Sequence, residues 1–302
     1  MDLRRTDLAM EARELWQERA GQAAELPGVQ AEERERAGMP VTVVRVLDEA
    51  GERALGKPRG TYITLTLEGG ETRADGAFPR AVEAVAAELG ALLEQVDLDR
   101  GPVLVAGLGN RAITPDALGP ESADMVLATR HIGGEFARSV GLDDLRPTAV
   151  LTPGVLGQTG TESGEIVRGV CTVVHPVAVV VVDALAARSV ARLGCTVQLC
   201  DTGIAPGSGV GNNRQPLNAE TLGVPVIGMG VPTVVDAATI AREFSDRGEE
   251  APDLTPRGAQ MMVTPREVDV MIHRAARLVA MAINGALQPD YNPLELIAVA
   301  KG

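Results

Sequence analysis

Aromatic residues make up only 2% of this 302-residue sequence, with one Trp, two Tyr and three Phe. Its core must therefore be packed from Val, Leu, Ala, Ile and Met. Cysteine is almost as scarce: Cys171, Cys195 and Cys200 are an odd set without a CxxC pair. That argues against a disulfide framework and a zinc site, and for reduced thiols in a cytoplasmic compartment. No stretch approaches the roughly 18 consecutive apolar residues of a membrane span, and the opening MDLRRTDLAMEARELW has no apolar signal region. Basic residues are outnumbered, 28 Lys and Arg against 41 Asp and Glu, for a net charge of −13 and a pI near 4.8. A surface of that sign is unsuited to direct nucleic-acid binding and fits a soluble protein. The three histidines, His131, His175 and His273, stand in no HExxH context, and no GxSxG elbow is present. With serine, cysteine and metal chemistry lacking their usual settings, paired carboxylates are the best catalytic candidates.

At 45% hydrophobic residues the chain can bury a large core, as one large α/β domain or two small ones. Its pattern centres on VAVVVVDALAARS, residues 177–189. Six apolar residues, four of them consecutive valines, predict a strand buried on both faces, of the kind found in parallel sheets. Asp183 follows the run, and the alanine-rich segment after it predicts a helix over 184–193. This places Asp183 where open α/β sheets hold their ligand crevice, or else as the N-cap of that helix. GPVLVAGLGNRAITPDALGP, residues 101–120, repeats the grammar with a strand, a turn at Gly107 and Gly109, and Asp116 opening a helical segment. If the two strands are neighbours, Asp116 and Asp183 face one crevice.

Along the chain, residues 8–36 predict a charged surface helix or pro-segment broken at Pro27 and Gly28. Strands over 41–47 and 61–67 suggest an antiparallel hairpin, followed by an amphipathic helix over 78–96. Beyond it strands (102–106, 148–152, 177–182, 195–200, 224–229) alternate with helices (116–130, 162–173, 184–193, 232–244), which implies parallel pairing. Residues 245–260 predict a polar loop, and a last helix follows Val263-Thr264-Pro265 to about Asn284. Gly107-Leu-Gly109-Asn-Arg-Ala112 formally matches a dinucleotide fingerprint, but Ile113, Thr114 and Pro115 separate it from the helix and no acidic residue ends a second strand at the right distance. No cofactor is expected. DTGIAPGSGVGN, residues 201–212, is a second glycine-rich turn, either a connection or an anion-binding nest of backbone amides.

TPDALGP (114–120), TRH (129–131), PGVLGQTGTES (153–163), VDALAARS, DTGIAPGSGVGN, TLGVPVIGMGVPTVVDA (221–237) and MVTPREVD (262–269) together resemble the germination proteases of spore-forming bacteria. The resemblance runs from Arg5 to about Ala286. It implies an α/β sandwich of the phosphorylase/hydrolase type around a mostly parallel mixed sheet, similar to hydrogenase maturation proteases. It implies an atypical aspartic endopeptidase whose two essential aspartates fall on Asp116 and Asp183, and whose substrates are small acid-soluble spore proteins in the spore core. A homotetramer is implied as well, with no cofactor and no membrane or nucleic-acid partner. Family substrates are cut after an acidic residue followed by a hydrophobic residue, a small residue and, shortly after, another acid. Thr6-Asp7-Leu8-Ala9-Met10-Glu11 resembles that pattern, so Asp7 and Leu8 would flank a self-processing site, with residues 1–7 a short pro-segment and 8–302 one peptidase domain. The first residues would be extended, without packed neighbours, and Asp7 would cap a helix beginning near Leu8, a cap that acidification weakens. Gly207, Ser208 and Gly209 are candidates for a substrate or oxyanion loop. The stretch at 241–260 is shorter than the family's insertion there. Two other readings remain at this level: a metal-sensing endopeptidase of the hydrogenase-maturation type, and a non-enzymatic phosphate- or nucleotide-binding module.

Overall fold

The computed structural model describes residues 6–20, 26–67, 77–132, 144–207, 214–243, 258 and 261–292. Its centre is one mixed sheet. In chain order the strands are β1 (Val29–Arg36), β2 (Met39–Val46), β3 (Gly60–Thr66), β4 (Val103–Gly107), β5 (Thr148–Leu151), β6 (Ala178–Ala187), β7 (Thr196–Cys200), β8 (Val226–Asp236) and β9 (Met262–Val263). They lie in the order β1-β2-β3-β7-β8-β6-β4-β5, with β9 beside the far end of β8. The β8-β6-β4-β5 half is parallel and the β1-β2-β3-β7-β8 half antiparallel. The α/β class and mixed sheet expected from the sequence are thus present.

The helices are α1 (Ala9–Ala20), α2 (Glu49–Leu55), α3 (Ala77–Leu93), α4 (Leu118–Ala123), α5 (Leu156–Thr159), α6 (Ser163–Val174), α7 (Ala219–Leu222), α8 (Ala237–Glu243) and α9 (Val268–Leu287). On one face of the sheet α3 and α9 pack over Val103, Val105, Val180, Val182, Ile227 and Met229. Among the described residues α9 is the helix long and apolar enough to cross a membrane, and most of it is buried in this core. The other face is divided. Alternate residues Leu104, Ala106, Val179 and Val181 pack with Val167 and Cys171 of α6, whereas Val44, Val46 and Tyr62 pack with Ala9 of α1. Between these two coverings runs the stretch of β8 that presents Gly228 and Gly230, which bring no side chain to fill the gap.

Three sequence expectations need correcting. Residues 29–36, VQAEERER, form strand β1 rather than a helix. Ala37 and Gly38, both at positive φ, turn the chain back as a two-residue hairpin, and the antiparallel partner β2 overrides the helical preference of Glu and Arg. Such a charged strand suits a sheet edge. Arg34 and Arg36 reach from its one face to the buried Glu88 of α3. Second, residues 184–187 continue β6, so the predicted 184–193 helix is absent and only a short turn at Val190–Arg192 is helical. Pairing with the similarly long β8 holds Ala184–Ala187 extended despite their alanine content. Third, β8 runs through 232–236, so the following helix starts at Ala237. Most of the 245–260 stretch lies outside the described residues.

Candidate active site

β4 ends at Gly107 beside Val182, and its parallel neighbour β6 continues to Ala187. The Leu108 amide makes the last link, donating to the Val182 carbonyl at 2.8 Å. From there β4 turns away through Gly109, leaving one edge of β6 without a strand neighbour among the described residues. Asp183 is the first residue past that point. Gly109 takes a φ of +118°, and a Cβ there would lie 2.0 Å from the Asp116 carbonyl oxygen, so only glycine permits this turn. The Asn110 amide donates to both the Asp116 carboxylate at 2.8 Å and its carbonyl at 3.1 Å. A short helical turn, Thr114–Asp116, is fastened from behind by Thr233, whose hydroxyl donates to the Pro115 carbonyl at 2.7 Å.

Asp116 and Asp183 both line a cavity of about 840 Å³. Asp183 is 7% exposed and accepts from the Ala184 amide at 2.9 Å. Burial pushes its carboxyl well above the usual aspartate range, and the charges of Asp116 and Asp7 push it further. Asp116 is half-buried. Its pKa is raised by desolvation, against the Asn110 hydrogen bond and the positive charge of Arg214 on the cavity wall, which both favour the ionised form. Two carboxyls in one partly dry site cannot both ionise cheaply, so the pair is poised to hold one proton and one charge.

The N-terminal segment enters the same cavity, contrary to the expectation of an unpacked terminus. On the open edge of β6 the Asp7 amide donates to the Ala186 carbonyl and the Ala186 amide donates to the Asp7 carboxylate, each at 2.9 Å. Asp7 does not occupy the capping position of α1, because Leu8, fully buried, stands between them. Leu8 packs among Leu185, Leu193 and Val235, while Ala9 sits against Val44, Tyr62 and Cys200. Glu11, 1% exposed, accepts from the amides of Arg188 at 2.7 Å and Ser189 at 3.1 Å and from the Thr6 hydroxyl. The polar-apolar order of residues 6–11 is thus matched by distinct surroundings for each side chain.

Gly207, at a φ of +74°, lines the cavity as well, whereas Ser208 and Gly209 lie outside the described residues, as do residues 1–5. His131, His175 and His273 are exposed, and none of them lines the cavity. Among the described residues no three His, Cys, Asp or Glu side chains gather as metal ligands. Lys57 and Gln198, which sequence reasoning passed over, belong to the cavity too. The available signal for Gln198 is a glutamine set between Val197 and Leu199 in strand β7.

A sequence profile of germination proteases matches residues 9–247. The chain is 42% identical to a germination protease of Caldanaerobacter subterraneus, over 97% of this chain and 96% of that protein. It is 39% identical to one of Clostridium acetobutylicum, over 98% of each, and 36% identical to one of Priestia megaterium, over 95% of this chain and 94% of that protein. Among solved structures, a NiFe hydrogenase maturation protease of Thermococcus kodakarensis aligns with 65% of this chain and 98% of its own at a TM-score of 0.36 and 18% identity. The chain belongs to the germination protease family, a family of peptidases.

Proposed function

We propose that this protease is of the aspartic type, that it cuts small acid-soluble spore proteins after an acidic residue during germination, and that Asp116 and Asp183 are its acid/base pair. The observation that carries this reading is the meeting of two carboxyls with raised pKa values in one cavity, at the point where β4 leaves β6. Asp183 holds the proton, because burial and two neighbouring negative charges oppose its ionisation. Asp116, with the Asn110 amide and Arg214 favouring its charge, takes the proton of the attacking water. Asp183 then gives its proton to the departing amide nitrogen, and the proton left on Asp116 returns to Asp183 before the next turnover. Gly207 forms part of the substrate wall.

Asp7–Leu8 is, in this reading, the enzyme's own processing site. Thr6 and Asp7 lie in the cavity that a substrate would need, so residues 1–7 act as a blocking pro-segment to the peptidase domain that begins at Leu8. The resemblance to the family extends the proposal to a homotetramer in the spore core. Incubation of the purified protein at mildly acidic pH should remove MDLRRTD, as followed by intact mass, and expose activity towards a purified small acid-soluble spore protein. Asp116→Asn and Asp183→Asn should each abolish most of both activities, and the double variant should lose little more, because members of one catalytic unit are strongly non-additive. Folded single variants that cut at the wild-type rate would overturn the assignment.

A further inference from the structure

The carbonyl oxygen of Asp7 belongs to the Asp7–Leu8 peptide bond, and it is held by two side-chain donors. Lys57 Nζ donates to it at 3.0 Å and Gln198 Nε2 at 2.9 Å. Lys57 also donates to the Thr6 carbonyl at 3.1 Å, and Gln198 Oε1 accepts from the Ala9 amide at 2.8 Å. A single glutamine amide therefore brackets Leu8, with one arm on each side of the bond in question.

The sheet places Gln198 opposite Asp183. Gln198 of β7 pairs with Gly230 of β8, and Gly230 pairs in turn with Asp183 of β6. Residues in register on adjacent strands share a face, so Gln198 and Asp183 flank a position without a side chain. With strands about 4.8 Å apart, the two backbones stand roughly 10 Å from each other. That gap accommodates one extended chain, with an acid on one side and a hydrogen-bond donor on the other. Lys57 comes to the same place from the turn after α2, where Gly56 ends the helix at a φ of +64° and Pro58 follows. Desolvation moves the Lys57 pKa down from the ordinary lysine value, against the charge of Asp7, which favours the ammonium.

We propose that Lys57 and Gln198 polarise the carbonyl of the bond to be cut and carry its negative charge in the transition state, first for Asp7–Leu8 and then for the corresponding acidic residue of a protein substrate. This rests on the reading of Asp7–Leu8 as a processing site. The water oxygen adds to the Asp7 carbonyl carbon as its proton passes to the ionised carboxylate. The carbonyl oxygen then becomes an oxyanion facing the ammonium and the amide. Collapse of that intermediate breaks the C–N bond, the protonated carboxyl supplies the proton to the Leu8 nitrogen, and one water has been consumed. Both donors already meet the carbonyl in the ground state, so their contribution to rate comes from the charge that grows on the oxygen.

The test follows the first-order loss of residues 1–7 from the full chain by intact mass, together with hydrogen exchange over residues 6–20. Lys57→Met and Gln198→Met should each slow processing by roughly a hundredfold while the amides of α1 keep their protection. Lys57→Arg should recover much of the rate, and Lys57→Gln less. Slowed processing accompanied by lost protection would assign the two residues to anchoring the segment, and unchanged rates would leave them no part in the chemistry; either result overturns the proposal. If Lys57→Met fails to fold, the order Arg above Gln at position 57 and the Gln198→Met rate decide it. Wild-type protein that never loses residues 1–7 removes the processing reading and this proposal together, and is recognised without any variant.

Discussion

Asp7 and Ala186 exchange two hydrogen bonds, one through the Asp7 amide and one through its carboxylate, at a stretch of β6 where β4 has already turned away. An open strand edge is a template for an added chain, and here residues of the same protein occupy it. Because the Ala186 amide meets a side-chain oxygen in place of a backbone carbonyl, the edge reads the identity of the residue as well as its backbone.

That contact predicts how processing depends on residue 7. A hydrogen bond to a charged group contributes about 1.5 to 3 kcal/mol, and about 1.4 kcal/mol is a factor of ten. Asp7→Ala should therefore slow the loss of the N-terminal segment about tenfold or more. Asp7→Asn retains an acceptor and should fall between, whereas Asp7→Glu should still be processed. Time courses of intact mass for the three variants provide the ranking, and equal rates for Asp7→Ala and wild type would show that the carboxylate is not read.

Gly230 gives a geometric prediction. A Cβ at this position would lie 2.5 Å from the Asp183 carbonyl oxygen and 2.6 Å from Leu185 Cγ. Gly230→Ala must therefore shift β8 against β6 at Asp183, and proteolysis should drop by at least about tenfold, since small misplacements at a reacting centre cost up to two orders of magnitude. Gly90, inside α3, has open space around its Cβ position. Gly90→Ala should leave proteolysis unchanged and stabilise the helix by up to about 1 kcal/mol. Peptide cleavage rates and thermal melts on both variants check the contrast.

Much of the candidate site is legible in the sequence. Asp116 and Asp183 stand out because each comes after an apolar strand. Those strands, β4 and β6, are indeed parallel neighbours, and both side chains reach one cavity. Asp183, however, stands within β6 rather than at a strand-to-helix junction. The alanines after it favour a helix in isolation, and only the long partner β8 makes them a strand. β1 was missed for the same reason in reverse, since Glu and Arg prefer helices and a sheet edge accepts them because it is solvated. Gln198 leaves only the trace of a polar side chain between Val197 and Leu199, and Lys57 leaves none, because its importance lies in what it touches. A lysine beside Gly56 and Pro58 reads as a surface turn until the chain of residues 6–9 is laid across it.

The acid/base assignment fixes the shape of a pH profile. Activity requires Asp116 ionised and Asp183 protonated, so the rate should rise through the Asp116 pKa and fall through that of Asp183. Desolvation raises Asp116, so the acid limb should lie above the ordinary aspartate value of about 3.9. Burial, then the charges of Asp116 and Asp7, place the alkaline limb higher still. Removing the Asp7 charge removes one of those influences, so Asp7→Asn should move the alkaline limb to lower pH and leave the acid limb in place. The rate at which the full chain loses residues 1–7, followed by intact mass across pH, tests this, and an alkaline limb that stays fixed would contradict the coupling between Asp7 and Asp183.

The same burial makes a claim about stability. Below about pH 3.9 the carboxyl of residue 183 is neutral in the unfolded chain and in the fold, and it costs the fold little. As pH rises the unfolded chain ionises freely, while the native state, with its pKa raised by burial and by the charges of Asp116 and Asp7, retains the proton. The unfolded state thus gains stability relative to the fold at every pH between the two pKa values, at a rate that approaches about 1.4 kcal/mol per pH unit, and the gain levels off above the native pKa. Asparagine at this position does not ionise, and its side-chain oxygen can still accept from the Ala184 amide that Asp183 engages at 2.9 Å. Asp183→Asn should therefore melt close to wild type near pH 4 and several degrees above it near pH 8, with activity lost at both. A variant less stable than wild type at pH 8, or an offset that does not grow with pH, would mean that Asp183 ionises without strain in the folded enzyme. Its assignment as the proton-holding member of the pair would then fall.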